Sequence, residues 1–582
     1  MIYLKETGDY MFLRKSKDKA SGRIYLSIAH SYWIPEKKTS RAKTVKSIGY
    51  LDELEKEYDD PIAFFTAMAQ QMDEERKNEE ASYTFSINKQ ETLALGTDNN
   101  KNFGYTALSV IYHELGIHTF LTNRQRHTNE TYDADTIMKM LTYSRLLSPA
   151  SKKKSYEKRS WFFEKEEYSL DDVYRCLTFL NKHKENLQLW LNDKIKQTYG
   201  RDTSLIYYDV TNYYFETDKL DELKRKGVSK EHRPNPIVQM GLFIDTNGIP
   251  ITYDLFPGNT NDCLTYRPNF GKIKKNYSVG RVITVADKGM TTGDNIWYTV
   301  QTPTKDGYVF SMSVRGGDKE LKSFVLDENG YKWLGNEYKR KSRLYPRTIQ
   351  VTSVSGKKLK KIVDEKQVVF YSEKYDKRAK AERAASLLKA QDLIKRPASY
   401  TRATSYGAAG YVKNISFDKD TGEILTPLKM LELDWDKIKS EEALDGYYVL
   451  ITSEYKESDD RIIDIYRGLW KIEESFRITK SDLEARPVYV SRHDHIQSHF
   501  LICFVALTIT RILEMKTGHK YSVGRLLESL SNATCIHAKE NLYLFSYYDE
   551  VLETIGKATG LAFDRKMMSL GEIKKILGNT KD

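Results

Sequence analysis

Three carboxylates stand where carboxylates are costly. Asp209 follows the apolar run Leu205-Ile206-Tyr207-Tyr208, and Asp287 follows Val282-Ile283-Thr284-Val285-Ala286. Glu473 falls in the seam Ile462, Tyr466, Leu469, Glu473, Phe476, Lys480, whose alternating steps of four and three mark one face of a helix over 460–480. Acids seldom enter buried surface unless paired or metal-bound. A strand-end acid can simply cap the next helix. Two such strands side by side would instead bring both carboxylates to one sheet edge, where open α/β sheets bind ligands. Read on its seam, Glu473 faces the core, while Glu474 shares a face with Arg467, Trp470 and Arg477 and makes a surface ion pair. Three oxygen donors and no thiolates favour Mg²⁺ or Mn²⁺ over zinc. His495 and His499 lie one helical turn apart beside His493, but a zinc reading lacks a third soft ligand. Trp470, three residues before Glu473, could stack on an unpaired base, though an aromatic on a helix is more often core.

The elements that must position these groups can be read in order. Residues 1–60 are β-rich, with short alternating stretches around a polar turn at Lys15–Gly22, and 61–200 turn helical, as in Ala107, Val110, Ile111, Leu115. A strand over 204–211 precedes two runs flanking Asp245-Thr-Asn-Gly248, whose Asn-Gly pair predicts a tight hairpin turn. A helix over 264–275 leads to the strand ending at Asp287. From about 300 to 440 the chain is turn-rich and basic, with a charged helix near 374–389. A strand at 446–452 precedes the helix over 460–480, and the chain after Arg492 reads as helical.

The chain has 582 residues, 40% of them hydrophobic, enough for several folded units. Its net charge of +11 suits a polyanionic partner without demanding one. The four cysteines are scattered, which argues against a disulfide scaffold or a thiolate zinc site and fits a reducing compartment. The N-terminus lacks the order of a signal peptide, and the longest apolar run, 500–509, is shorter than the ~20 residues a bilayer needs. The expectation is a soluble cytoplasmic protein without a membrane span.

Taken together, Tyr207-Tyr208-Asp209-Val-Thr, Val285-Ala286-Asp287-Lys-Gly-Met290 and the segment from Tyr466 to Lys480 resemble bacterial insertion-sequence transposases of the DDE class. The nearer resemblance is to the insertion-sequence-four superfamily, with its Y-x₂-R-x₃-E-x₆-K signature. Tyr466, Glu473 and Lys480 fit that spacing, and Leu469 stands where the signature has Arg. Asn259-Thr-Asn-Asp262 and Arg486-Pro487-Val488-Tyr489 look like accessory motifs of the same group. The resemblance implies an α/β, RNase H-like catalytic core in two parts (201–300 and 441–512), interrupted by a mostly β insertion domain (301–440). It also implies an N-terminal β region (1–60), a helical DNA-binding region (61–200) and a helical C-terminus (513–582).

The implied activity is cleavage at the element's ends and transfer of the 3′-OH ends into target DNA. Two divalent ions, bridged by Asp209 and held by Asp287 and Glu473, would activate the nucleophile and stabilise the leaving oxygen. Tyr466 and Lys480 match residues that contact the terminal nucleotide and its phosphate, and Arg467 or Arg477 would stand in for the missing Arg. Lys339, Arg340, Lys341, Arg343 and Arg347 in the insertion, and Lys152, Lys153, Lys154, Arg124 and Arg126 before the core, are candidate phosphate contacts. His232 precedes the hairpin and could approach the site. The expected partners are terminal inverted repeats, target DNA and a second subunit on paired ends. The rival readings are an RNase H-fold nuclease that cleaves without joining, a catalytically silent DNA-binding relative, and, more remotely, a two-carboxylate glycosidase.

Overall fold

The computed structural model describes residues 10–19, 21–34, 39–80, 90, 92–230, 233–335, 338–395, 410–413 and 431–581. The candidate at position 232 lies outside them. The chain divides into two compact units at Thr97, beyond the boundary at 60 that the pattern change suggests.

In the first unit, β1 (Tyr10–Lys17), β2 (Ile24–Ile34) and β3 (Thr39–Tyr50) form an antiparallel meander, followed by helix α1 (Pro61–Glu80). The β1–β2 turn closes through Gly22, whose φ of 73° suits glycine. The helix is tied to the first strand by Met11 N–H donating to the buried Asp73 carboxylate at 3.0 Å.

The second unit opens with β4 (Asn100–Asn102) and six helices: α2 (Tyr105–Glu114), α3 (Ile117–Gln125), α4 (Ala134–Leu147), α5 (Lys152–Glu157), α6 (Leu170–Lys182) and α7 (Lys184–Tyr199). Then come β5 (Leu205–Tyr214), β6 (Ile237–Ile244), β7 (Pro250–Pro257), α8 (Asp262–Asn276), β8 (Ile283–Ala286), α9 (Gly293–Val300) and β9 (Gly307–Met312). The predicted hairpin turn is present between β6 and β7. Asp245 accepts from Asn247 N and Ile249 N, both at 2.9 Å, and Gly248 takes φ 82°.

Within the sheet, β5 pairs antiparallel with β6 and β6 with β7, while β8 lies parallel to β5 and β9 parallel to β8. Side chains alternate across β5. Ile206, Tyr208 and Val210 pack with Tyr266 and Phe270 of α8, whereas Leu205, Tyr207 and Tyr213 join the helical core on the other face.

The segment expected to be a separate insertion domain continues this sheet instead. After α10 (Lys319–Leu326) come β10 (Lys332–Leu334) and two 15-residue strands, β11 (Tyr338–Thr352) and β12 (Lys358–Ser372). Helix α11 (Glu373–Lys395), the short β13 (Val412–Lys413) and β14 (Glu432–Leu433), α12 (Trp435–Glu442) and β15 (Tyr447–Thr452) follow. Because β15 pairs with β9 on one edge and with β12 on the other, nine strands form one sheet in the order β10-β11-β12-β15-β9-β8-β5-β6-β7. The long hairpin thereby covers an edge that would otherwise be open.

The helix expected over 460–480 is present as α13 (Asp459–Arg467) and α14 (Trp470–Arg477), with Gly468 and Leu469 still in right-handed helical conformation between them and one wide turn (Ile478–Asp482) after them. Helix α15 (His493–Lys516) is long and apolar enough to cross a bilayer by length and composition, but it is buried inside the fold as the central helix of the core. The C-terminal part is mixed rather than helical. After α16 (Val523–Asn532), β16 (Thr534–Lys539), β17 (Leu542–Phe545) and, beyond α17 (Glu550–Thr559), β18 (Met567–Ser569) form a four-stranded sheet with β4 from the start of the unit; α18 (Leu570–Asn579) ends it.

Candidate active site

The two aspartates are neighbours. Parallel pairing of β5 with β8 sets Tyr208 opposite Ala286, so Asp209 and Asp287 occupy the next step along adjacent strands. By alternation both share the side of Tyr207 and Val285, the face on which Ile462, Ile465, Leu469, Ile472 and Phe476 of α13 and α14 pack. Asp287 accepts hydrogen bonds from Ser311 Oγ of β9 at 2.7 Å and from Tyr466 OH at 3.2 Å. Burial pushes the Asp209 carboxyl up to about 6; Lys230 opposes this, and the nearby charges of Asp287 and Asp262 add to it. Asp262, the first residue of α8, is pushed up by its burial and held down by Lys230. The Lys230 ammonium itself donates to the carbonyl of Val210, next to Asp209.

The seam of α13 and α14 runs along this edge. Ser458 caps its start by accepting from Arg461 N at 3.2 Å, with Asp459 and Asp460 in the first turn, where the helix dipole favours acids. Gly468 is required by contact: a Cβ there would lie 2.1 Å from Tyr207 OH. Tyr466 reaches Asp287 at one end of the seam. At the other, Lys480 lies 5.7 Å from the Tyr213 ring centre, its ammonium pushed down to about 8 by burial and by Lys230, with Asp209 opposing.

Glu473 stands between them in the chain, seven residues from each. It does not face the core. Ile472, Ser475 and Phe476 turn inward and Glu473 is exposed. Glu474 makes the expected ion pair with Arg477, at 3.7 Å, but its other oxygen is held inward by Arg511 at 2.9 Å. Leu469 is buried, 7% exposed, and reaches no surface from which it could touch DNA.

Among the described residues no three acids, histidines or cysteines gather closely enough to hold a metal ion. The two aspartates do fit a hard cation: oxygen donors only, like charges adjacent, and the Asp209 carboxyl raised partly by its acidic neighbours.

Residues 200–509, more than half of the chain, match the family described as transposase DDE domain. The chain is a DDE transposase. Residues 13–84 of the transposase match the N-terminal domain of IS1634 family transposases, which gives the first unit its family. No curated protein matches the chain. Among solved structures, the transposase is similar to piggyBac transposase in a synaptic complex with hairpin DNA, over 82% of this chain and 86% of that one, at 9% identity and a TM-score of 0.38. It is also similar to Mos1 transposase in a paired-end complex with the left transposon end, over 28% and 55%, at 14% identity and a TM-score of 0.12.

Most of the basic residues expected to meet DNA are engaged elsewhere. Lys339 is buried on Glu328 at 2.6 Å among the rings of Tyr331, Trp333, Tyr371 and Tyr447. Lys341 is buried against Phe324 and Tyr331, donating to Asp327 O. Arg343 and Arg347 take Gln367 and Glu365, at 2.9 and 2.8 Å. Arg340 pairs with Asp460, and Lys366 with Asp459 at 2.8 Å, so the hairpin clamps the first turn of α13. Strand alternation is the reason: every second side chain points into the layer beneath α10, where a cation must find an acid or a ring.

Lys152 is buried beside Arg145 and Cys503, while Lys153, Lys154, Arg124 and Arg126 are exposed. Trp470 is 55% exposed. Arg467 and Arg477 lie at the surface on Asp464 and Asp482, at 3.3 and 3.2 Å. His493 is exposed, His495 stacks on Tyr174, and His499 is buried against Ala485 O. Ser311, Lys230 and Arg511 escaped the sequence reading. Ser311 is the one small polar side chain in the otherwise aromatic and apolar strand Tyr308-Val-Phe-Ser-Met312, a signal that was there to find; nothing local marks Lys230 or Arg511.

Proposed function

We propose that this transposase cuts DNA at the ends of its insertion sequence and joins the freed 3′-OH ends to target DNA at one site, built from Asp209, Asp287 and Glu473. The observation that carries the reading is the placement of Asp209 and Asp287 on adjacent parallel strands, facing the helix that bears Tyr466 and Glu473. An RNase H-like core is supported by the sheet: three antiparallel strands, β5 to β7, with β8 and β9 added parallel to β5. The narrower likeness to the Y-x₂-R-x₃-E-x₆-K group is supported by the spacing of Tyr466, Glu473 and Lys480, and opposed by the buried Leu469.

The three carboxylates would hold two Mg²⁺ or Mn²⁺ ions, which supply Lewis-acid activation of the nucleophile and charge stabilisation of the leaving oxygen. The protein's own groups do the rest. Ser311 and Tyr466 orient Asp287 through its Oδ1. Lys480 and Lys230 bring positive charge beside Asp209, where a scissile phosphate needs it. Trp470, Arg467, Arg477, Lys153 and Lys154 are exposed candidates for DNA, and paired ends call for a dimer. The place of action is the cytoplasm, with the DNA.

The test uses a duplex carrying the element's terminal repeat and, separately, pre-cut ends with target DNA. Asp209→Asn, Asp287→Asn and Glu473→Gln should each abolish cleavage and joining while the duplex still binds. Cleavage without joined product in the unsubstituted protein would make it a nuclease instead. Unchanged cleavage in Asp287→Asn would refute the site.

A further inference from the structure

One buried guanidinium grips a single face of the helix of Glu473 at three points. Arg511, on α15 and 5% exposed, donates to Lys471 O at 3.0 Å, to Ser475 Oγ at 2.9 Å and to the Glu474 carboxylate at 2.9 Å. These acceptors belong to positions two before, two after and one after Glu473. A fourth bond, to Glu514 at 2.8 Å, fixes the guanidinium to its own helix. Lys471 extends the hold: its ammonium donates to Thr246 O in the β6–β7 turn at 2.6 Å. No other described side chain bonds to so many groups of this turn.

A helix segment that only carried an exposed acid would need no such anchor. Apolar packing of Ile472 and Phe476 already holds it to the core. Rotation about the helix axis aims the exposed Glu473, and directional bonds constrain rotation more closely than apolar contact does. Donors aimed at a backbone carbonyl, a hydroxyl and a carboxylate of one turn set that rotation, because a planar five-donor fork satisfies all of them in one orientation only. A lysine offers a point charge and no fork.

We infer that Arg511 is a positioning residue for Glu473: it fixes the rotation of α14 so that the carboxylate is presented to the cation held by Asp209 and Asp287. This rests on the metal-ligand reading of Glu473 above. Groups that support a metal ligand from behind typically change affinity 10–100-fold when altered, without touching the ion.

The experiment titrates Mn²⁺ into the full-length transposase bound to a terminal-repeat duplex and follows free Mn²⁺ by electron paramagnetic resonance, with thermal melting and duplex affinity measured alongside. Arg511→Lys should weaken Mn²⁺ binding about tenfold or more, at temperatures where the protein is folded, with duplex affinity unchanged. Glu473→Gln should weaken it at least as much, and the double variant should be no weaker than Glu473→Gln alone. If Arg511→Lys does not fold, Glu474→Ala, which removes one acceptor and leaves the buried arginine paired to Glu514, carries the same comparison with a smaller effect.

Unchanged Mn²⁺ affinity in the folded Arg511 or Glu474 variant, beside a weakened Glu473→Gln, overturns the positioning role alone. So does an additive double variant. Unchanged affinity in Glu473→Gln overturns the ligand reading itself.

Discussion

Tyr466 OH donates to Asp287 Oδ1 at 3.2 Å, joining positions 179 residues apart in the chain. The bond ties the start of the seam that carries Glu473 to the end of the strand that carries Asp287. A hydrogen bond to a charged acceptor contributes roughly 1.5–3 kcal/mol, while Ser311 still orients the same oxygen. Tyr466→Phe should therefore lower the unfolding free energy by no more than that amount and, with Asp287 held by Ser311 alone, lower end-cleavage turnover roughly tenfold, with duplex affinity near that of the unsubstituted protein. Single-turnover cleavage kinetics would check it; an equal loss in duplex affinity would place the hydroxyl on DNA instead.

Gly468 lets α13 and α14 approach β5. An added methyl would meet Tyr207 OH at 2.1 Å and its Cζ at 2.7 Å, and Tyr207 is 3% exposed with little room to move. Gly468→Ala should cost about 1–3 kcal/mol in urea unfolding, the range for overpacking, and lower cleavage as the helix is displaced. Tyr207→Leu in the same chain should recover part of the loss, whereas Tyr207→Phe, which keeps the ring carbon, should recover little.

The buried Lys152 makes stability depend on alkaline pH. Burial, with Arg145 nearby, pushes its ammonium down to about 7 from 10.5. Between those values the unfolded chain binds the extra proton, so unfolding free energy should rise with pH, by up to about 1.4 kcal/mol per pH unit from this group. Urea unfolding from pH 7 to 10 should show a shallower rise in Lys152→Met than in the unsubstituted protein.

The basic residues of the long hairpin and those after Ser151 should behave oppositely. Lys339→Ala empties a cation from a cage of four rings and should lower the melting temperature without changing the salt dependence of duplex binding. Lys153→Ala and Lys154→Ala should leave melting unchanged, and each should reduce the salt slope by about one if it meets a phosphate. Trp470→Ala should likewise spare stability, while lowering affinity for an unpaired end by about 1–3 kcal/mol if the ring stacks on a base.

Much of the catalytic unit was legible in the chain. The strand that stops just before Asp287, the strand that bears Asp209 and the Asn-Gly hairpin between β6 and β7 are local patterns that formed where expected, except that β5 runs on through Asp209 to Tyr214, so this acid lies mid-strand and not at a strand end. They are legible because alternation, turn chemistry and helical period act over a few residues. The same locality explains the errors. Glu473 and Glu474 lie 100° apart on one helix, and which of them turns inward depends on Arg511, a residue in another helix that no period reveals.

What the sequence determined by itself was the set of chemical groups and the short elements bearing them: acids within or just after apolar strands, and an amphipathic helical segment bearing Tyr466, Glu473 and Lys480 at seven-residue spacing. Tertiary structure alone decided which strands meet, so that Val369 pairs with Val449 and the expected insertion becomes part of the catalytic sheet. It also decided which cations are spent inside the protein and which remain exposed. The physical reason is that strand register and ion pairing are settled between residues far apart in the chain, by whichever partner relieves an open edge or a buried charge, and local sequence carries no record of that partner.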